Sequence, residues 1–299
     1  MIQGKILKGI SGFYDVFIGS GNLNMEEIIC CKAKGIFRKL GMKPLVGDDV
    51  ELVITDPEKR EGSIERILPR RSELFRPAVA NVDQSLLIFS IRKPQLSENL
   101  LDRFLLETKK ENIPALICFN KTDLSDEEEE ERLRRIYENS GAKLLFTCGA
   151  TGEGRDLVYE ALLGRITTVA GPSGAGKSTL INLLAPDAAM ETGSLSEKIG
   201  RGKHTTRHTE LFFVAKDTYI LDTPGFGSLE LARISPEELK DYYPEFEPYE
   251  KQCRFPLCSH VGEKECGVRA AAEEGKIPKT RYENYRLFYS ELKERKNYG

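Results

Sequence analysis

Four short stretches carry residues whose types and spacing could do chemistry: NKTD (120–123), GPSGAGKST (171–179), DTPG (222–225) and a C-x4-C-x-H-x5-C cluster from Cys253 to Cys266. GPSGAGKS fits G-x-x-x-x-G-K-S, a loop whose backbone N–H groups curl around phosphates. Gly171, Pro172, Ser173, Gly174, Ala175 and Gly176 would form the cradle, Lys177 would reach the β and γ oxygens, and Ser178 would ligate Mg²⁺, with Thr179 completing the contact set. An accidental glycine-rich turn is the bland alternative. It is disfavoured because the apolar run ITTVA precedes the loop and the helical pattern STLINLLA follows it. DTPG also ends an apolar strand, so Asp222 can hold the magnesium shell through water while the Gly225 amide faces a γ-phosphate. In NKTD, the Asp123 carboxylate can accept from guanine N1–H and from the N2 amino group, which adenine does not offer. Asn120 would tie that loop together and Lys121 would lie over the base. Cys253, Cys258, His260 and Cys266 supply three thiolates and one imidazole, which satisfy tetrahedral Zn²⁺ and leave no open position, so the chemistry is structural rather than hydrolytic.

The order of these stretches is unusual, since the base reader comes about fifty residues before the phosphate holder. An open α/β sheet makes that order harmless. Every loop at the carboxyl end of a strand lies along one crevice, whatever its place in the chain.

The elements that must position these residues fall into three segments of the 299-residue chain. Residues 1–70 alternate in short runs (GKILKGI, FYDVFIG, EEIICCKAKG, DDVELVITD, GSIERIL), five strand-like pieces that suggest a small Greek-key barrel of the OB type. Lys32, Lys34, Arg38, Lys39 and Lys43 around Phe37, and Arg70, Arg71 and Arg76 near Phe75, make a basic-aromatic mixture suited to RNA; a solvated loop and linker is the plain alternative. Residues 71–230 alternate buried strands with amphipathic helices, as a mainly parallel α/β sheet covered on both faces requires. The acidic run at 126–131 reads as a solvated first helical turn. Residues 231–299 read as short helices, the Cys/His cluster and a C-terminal helix whose Tyr282, Tyr285, Phe288, Tyr289 and Leu292 recur at core spacing. Lys276, Lys279, Arg281, Arg286, Lys293, Arg295 and Lys296 flank that stripe and could meet phosphate. A net charge of −3 leaves any nucleic-acid contact to such local patches. Seven cysteines without a disulfide framework, no signal-like N-terminus and no apolar run long enough to span a bilayer point to a cytoplasmic chain with no membrane partner. Cys30, Cys31 and Cys118 read as ordinary strand cysteines.

Taken together, VGDDV, GSIERILPRRSELFRP, NVDQ, LDRFLLE, FNKTDL, GPSGAGKST, GKHTTRHTEL, LDTPGFG and the Cys/His cluster resemble, nearly end to end, the RsgA/YjeQ family of circularly permuted GTPases. The resemblance implies an N-terminal OB domain, a GTPase whose base-reading motifs precede its P-loop, a C-terminal zinc domain, and a role in maturation of the small (30S) ribosomal subunit with its 16S rRNA. It implies GTP/GDP, Mg²⁺ and one structural Zn²⁺ as ligands; a monomer suffices. It assigns GKHTTRH to switch I, with Thr206 as a magnesium ligand and Thr205 beside it. It also places Cys148 and Gly149 at the second base loop, where a Ser-Ala pair is more usual. Phe226 stands where a Ras-like enzyme has its water-orienting glutamine, so intrinsic hydrolysis should be slow; His204 is the candidate to position water, unless it is simply exposed in its loop. Permutation leads switch II through FGSLELARISPEEL into the zinc domain, a route by which loss of the γ-phosphate could be felt there. Two other classes remain open at this point: a P-loop ATPase or kinase, against which Asp123 argues, and a nucleotide-stabilised RNA adaptor without turnover.

Overall fold

The computed structural model describes residues 1–19, 21, 24–39, 41–75, 78–185, 209–222, 231 and 234–298. In DVELVITD the period-2 pattern sends Val50 and Leu52 inward while Val53 faces out, and the same alternation runs through the neighbouring strands. Strands β1 (Ile2–Ile10), β2 (Phe13–Phe17), β3 (Ile28–Ala33), β4 (Asp49–Asp56) and β5 (Glu61–Ile67) close a barrel of order β1-β2-β3-β5-β4. β3 and β5 are its parallel pair, and β1 returns to β4 to remove the edge. This is the OB-type barrel expected.

The basic-aromatic mixture is arranged differently from the expectation. A short helix, α1 (Gly35–Lys39), turns Phe37 inward until it is 5% exposed, so its ring cannot stack a base. The aromatic that does face solvent is Phe13, 46% exposed, with Lys32 Nζ 4.9 Å from its ring centroid. Lys34 is paired with Glu65. Arg70 forks onto the fully buried Asp48 with two 2.7 Å bonds and also donates to Glu73 and the Lys43 carbonyl, while Arg71 reaches Asp83. Those arginines fasten the barrel to the segment that follows it, because a buried carboxylate needs a bidentate cation more than a surface needs charge. Arg76 and the side chains of Arg38 and Phe75 lie outside the described residues.

After a small hairpin, β6 (Glu73–Phe75) with β7 (Ala78–Ala80), come β8 (Gln84–Ser90), α2 (Glu98–Lys110), β9 (Ala115–Asn120), α3 (Glu127–Tyr137), β10 (Lys143–Thr147), α4 (Arg155–Leu162), β11 (Ile166–Ala170), α5 (Lys177–Leu184), β12 (Leu211–Ala215) and β13 (Thr218–Asp222). Residues of β8 and β11 are buried throughout, as strands covered on both faces must be. The chain forms two compact units: residues 1–86, 149–170 and 176–226, and residues 87–148, 171–175 and 227–299. Strand β8 runs from the first into the second. It sits in a six-stranded sheet of order β10-β9-β8-β11-β13-β12, parallel at β10/β9 and β11/β13 and antiparallel at the β12 edge. The chain leaves β8 toward β9 and β10, then crosses back to β11, so the order reverses between β8 and β11.

The acidic run behaves as a solvated helix start: Asp126 caps α3, accepting from the Glu129 amide at 2.9 Å. The C-terminal residues form α6 (Glu247–Glu250), α7 (Gly267–Glu273) and α8 (Lys279–Tyr298). Tyr282, Tyr285, Phe288 and Leu292 of α8 bury with Tyr243, Phe246, Val268 and Ile277, the core role their spacing suggested. Arg281 departs from its expected place in the basic flank. It is 2% exposed, donates to Asp102 of α2 at 2.5 Å and to Glu245 at 2.7 Å, and shares Asp102 with Asn284. A phosphate contact there is excluded by burial.

Candidate functional site

Backbone shape makes the phosphate loop. Gly171, Gly174 and Gly176 have φ of 142°, 78° and 91°, and a Cβ on Gly171 would lie 2.0 Å from the Ile88 carbonyl oxygen, so only glycine fits against the β8 backbone. Gly176, left-handed, ends the loop and accepts the first α5 bond from the Leu180 amide at 3.0 Å. Amides at the start of α5 therefore point out of the helix, a cradle for an anion reinforced by the helix dipole. Lys177 and Ser178 are half-buried at this mouth, whereas Ser173, Gly174 and Thr179 are exposed. The register of β11 with β13 sets Val169 opposite Asp222, so the end of β13 lies beside the strand that feeds the cradle. The Asp222 side chain, Gly225, Phe226 and the GKHTTRH stretch with His204, Thr205 and Thr206 lie outside the described residues. The route from switch II toward the Cys/His segment falls there in part as well.

The base loop is bonded to the phosphate loop. Asn120, the last residue of β9, donates from Nδ2 to the Ala175 carbonyl at 2.9 Å. Lys121, left-handed at φ 66°, donates from Nζ to the Gly174 carbonyl at 2.8 Å and to the Lys93 carbonyl. Stretches more than fifty residues apart in the chain are thus bonded directly to each other. Asp123 is exposed, and its Oδ1 accepts from the Cys148 thiol at 3.0 Å. One carboxylate oxygen is thereby oriented, and the residue is open to solvent. Gly149 follows Cys148 at the end of β10, half-buried.

Two supports escaped sequence reasoning. Thr147 is fully buried and donates to Asn120 Oδ1 at 3.2 Å, with the Cys118 sulfur 3.3 Å from the same hydroxyl. Burial pushes the Cys118 thiol up to about 12, so it remains a neutral partner. The loop after β8 is the second: Pro94 packs within reach of Gly174 and the Lys93 carbonyl receives Lys121. Thr147 directly precedes a residue already singled out, a faint signal. The contacts of Lys93 and Pro94 left no sequence trace, because they depend on where α2 begins.

The four ligands of the Cys/His cluster come together with their donor atoms all within 4.8 Å of one another. Cys253 Sγ and Cys266 Sγ are 3.9 Å apart, and His260 Nδ1 is 3.5 Å from each. Tetrahedral zinc with Zn–S near 2.3 Å and Zn–N near 2.05 Å has edges of about 3.8 and 3.6 Å, so the set fits the ion. Burial pushes the Cys258 thiol up to about 12 and raises Cys266, which means the thiolates need a cation among them. Burial also lowers His260, keeping the imidazole neutral as a ligand must be. The carboxylate of Glu263, brought down to about 2 because amides of the Ser259–Gly262 turn more than offset its partial burial, clips that turn in place.

The RsgA GTPase family matches residues 67–232, and the RsgA N-terminal domain matches residues 3–64. A protein of Agathobacter rectalis called small ribosomal subunit biogenesis GTPase RsgA is 51% identical, covering 99% of this chain and 100% of that one. A Clostridium perfringens protein of the same name is 47% identical over 95% of this chain and 96% of its own length. Among solved structures, YjeQ from Thermotoga maritima is 36% identical with a TM-score of 0.79, covering 97% of this chain and 98% of that one. YloQ, described as a circularly permuted GTPase, is 35% identical with a TM-score of 0.79, covering 99% and 96%.

Proposed function

Because the chain belongs to the RsgA GTPase family, we propose that it hydrolyses GTP on the small ribosomal subunit during late maturation, with hydrolysis stimulated by the subunit and coupled to release. The observation that supports this reading best is the direct bonding of Asn120 and Lys121 to the Ala175 and Gly174 carbonyls, which ties the NKTD stretch to the glycine-rich stretch GPSGA. Residues 1–70 serve as an RNA-binding barrel, 71–230 as the permuted GTPase and 231–299 as the zinc domain, working as a monomer in the cytoplasm against 16S rRNA. Among the described residues no helix is long and apolar enough to cross a membrane.

The chain's own residues take the following roles. Asp123 accepts from guanine N1–H and the N2 amino group, Asn120 and Cys148 hold its loop, and the Gly149 amide region faces O6. The backbone N–H groups from Ser173 to Ser178 take the phosphate oxygens, and Lys177 meets the charge that develops between β and γ as water attacks the γ phosphorus and the bridging oxygen leaves. Ser178 and Thr206, with Asp222 through water, would hold a magnesium ion, which supplies charge neutralisation on the β and γ oxygens. Phe226 cannot orient the water, so His204 positions it, completed by the subunit.

Purified small subunits should raise GTP turnover by about tenfold or more, lowering the barrier by at least about 1.4 kcal/mol. Phosphate release unchanged by subunits would overturn the reading. Lys177→Ala should cut the stimulated rate by about 10²–10³-fold, the usual cost of removing one preorganised donor to developing charge. Single-turnover phosphate release at saturating GTP measures it.

A further inference from the structure

We infer that Glu250, which is not one of the four cluster residues, is an outer positioning residue of the zinc site and sets its affinity by holding the His260 imidazole. The inference rests on the zinc reading above. His260 presents Nδ1 to the cluster, 3.5 Å from both Cys253 Sγ and Cys266 Sγ. Its other ring nitrogen, Nε2, is 3.2 Å from Glu250 Oε1. A carboxylate only accepts, so Nε2 carries the proton and Nδ1 keeps its lone pair for the metal. Glu250 ends α6, the short helix leading to Cys253, so the residue that orients the imidazole comes from the same stretch that delivers the first thiolate.

Among the described residues, the other neighbours of the ring do different work. Phe246 and Tyr285 meet the ring edge-on or tilted, at 5.9 and 6.5 Å between centroids; Phe246 has no acceptor, and the Tyr285 hydroxyl is bonded to the Ser259 carbonyl. Tyr282 donates to the His260 carbonyl at 2.8 Å and Tyr285 to the Ser259 carbonyl at 2.5 Å, which hold the backbone where His260 takes φ 60° but leave the ring free to turn. The Glu263 clip likewise bonds only amides. Ring orientation and tautomer thus fall to Glu250, whose charge also strengthens the imidazole as a donor, while Lys240 stands 4.0 Å from the same carboxylate oxygen.

The test is zinc competition with a chelator on the full chain, with Co²⁺ spectra reporting thiolate ligation. Glu250→Ala should weaken zinc binding by about 10–100-fold while saturating Co²⁺ still gives the thiolate charge-transfer band. Glu250→Gln, which can still accept from Nε2–H, should fall between the two. Tyr282→Phe, which loosens the same turn without touching the ring, should change affinity less than Glu250→Ala. Parental affinity in Glu250→Ala overturns the inference. So does equal weakening in Glu250→Ala, Glu250→Gln and Tyr282→Phe, the pattern of general loosening. A parent chain that binds neither ion overturns the zinc reading, and this inference with it.

Discussion

Replacing Asp123 by asparagine lowers affinity for GDP and GTP by about 10²–10⁴-fold and raises affinity for xanthine nucleotides. The wild-type carboxylate is exposed, with one oxygen turned by the Cys148 thiol at 3.0 Å. From that position, under the proposed function, it would accept from N1–H and the N2 amino group at once. Hydrogen bonds to a charged group contribute about 1.5–3 kcal/mol each, so losing the pair costs roughly 3–6 kcal/mol, which corresponds to the stated range. Asparagine sets an amide donor against the N2 amino group, a donor facing a donor. Xanthine has a carbonyl at that carbon and meets the amide favourably. Competition of GTP, XTP and ATP against a fluorescent guanine nucleotide measures the exchange. A variant that keeps its guanine preference would show that Asp123 does not read the base.

Arg281→Ala should destabilise the second compact unit by about 3–5 kcal/mol, read as lost amide protection along α8 in native-state hydrogen exchange. Arg281 serves two carboxylates, Asp102 at 2.5 Å and Glu245 at 2.7 Å, in a region where Asp102 is fully buried. Burial raises the Asp102 carboxyl even against the pull of Arg281 and Asn284, so desolvation dominates there. Remove the cation and two buried acids lose their counter-charge, with Asp102 keeping only the neutral Asn284 amide. Replacing all three together, Arg281→Met with Asp102→Leu and Glu245→Leu, should cost less than the single change, because the penalty lies in stranded charge rather than in lost attraction. A single variant as stable as the parent would mean that the acids find water or protons on their own. The same network ties α8 to α2, as do Arg103 with Glu291 at 2.6 Å and its guanidinium over Phe288 at 4.6 Å. The C-terminal helix therefore travels with the helix that follows the Lys93–Pro94 loop at the pocket.

Where reading the chain misled, the cause was a partner far away in sequence. Phe37 stood among lysines and looked like a stacking platform, yet one helical turn in an otherwise alternating segment rotated it inward. Arg70 and Arg281 counted as basic surface because a charge run does not reveal a buried acid. Their partners, Asp48 and Asp102, lie 22 and 179 residues away. Lys121 was expected over the base, and the contact its local sequence did not reveal is the ammonium bridging the Lys93 and Gly174 carbonyls. The aromatic stripe of α8 was legible because helical spacing is a local property, and its burial followed.

The chain alone determined the chemistry that depends on a few adjacent residues: a cradle needs glycines at positive φ before a helix, a closed metal site needs four soft donors close in sequence, and a guanine reader needs one carboxylate after a strand. Tertiary structure decided which of the charged residues face water and what holds the reactive ones still. Thr147 under Asn120, the thiol against Asp123, Glu250 behind His260 and Arg281 between two acids are all second partners. Such partners are chosen by strand order and helix docking, which local pattern does not encode. A buried polar group must find its complement wherever the fold brings one.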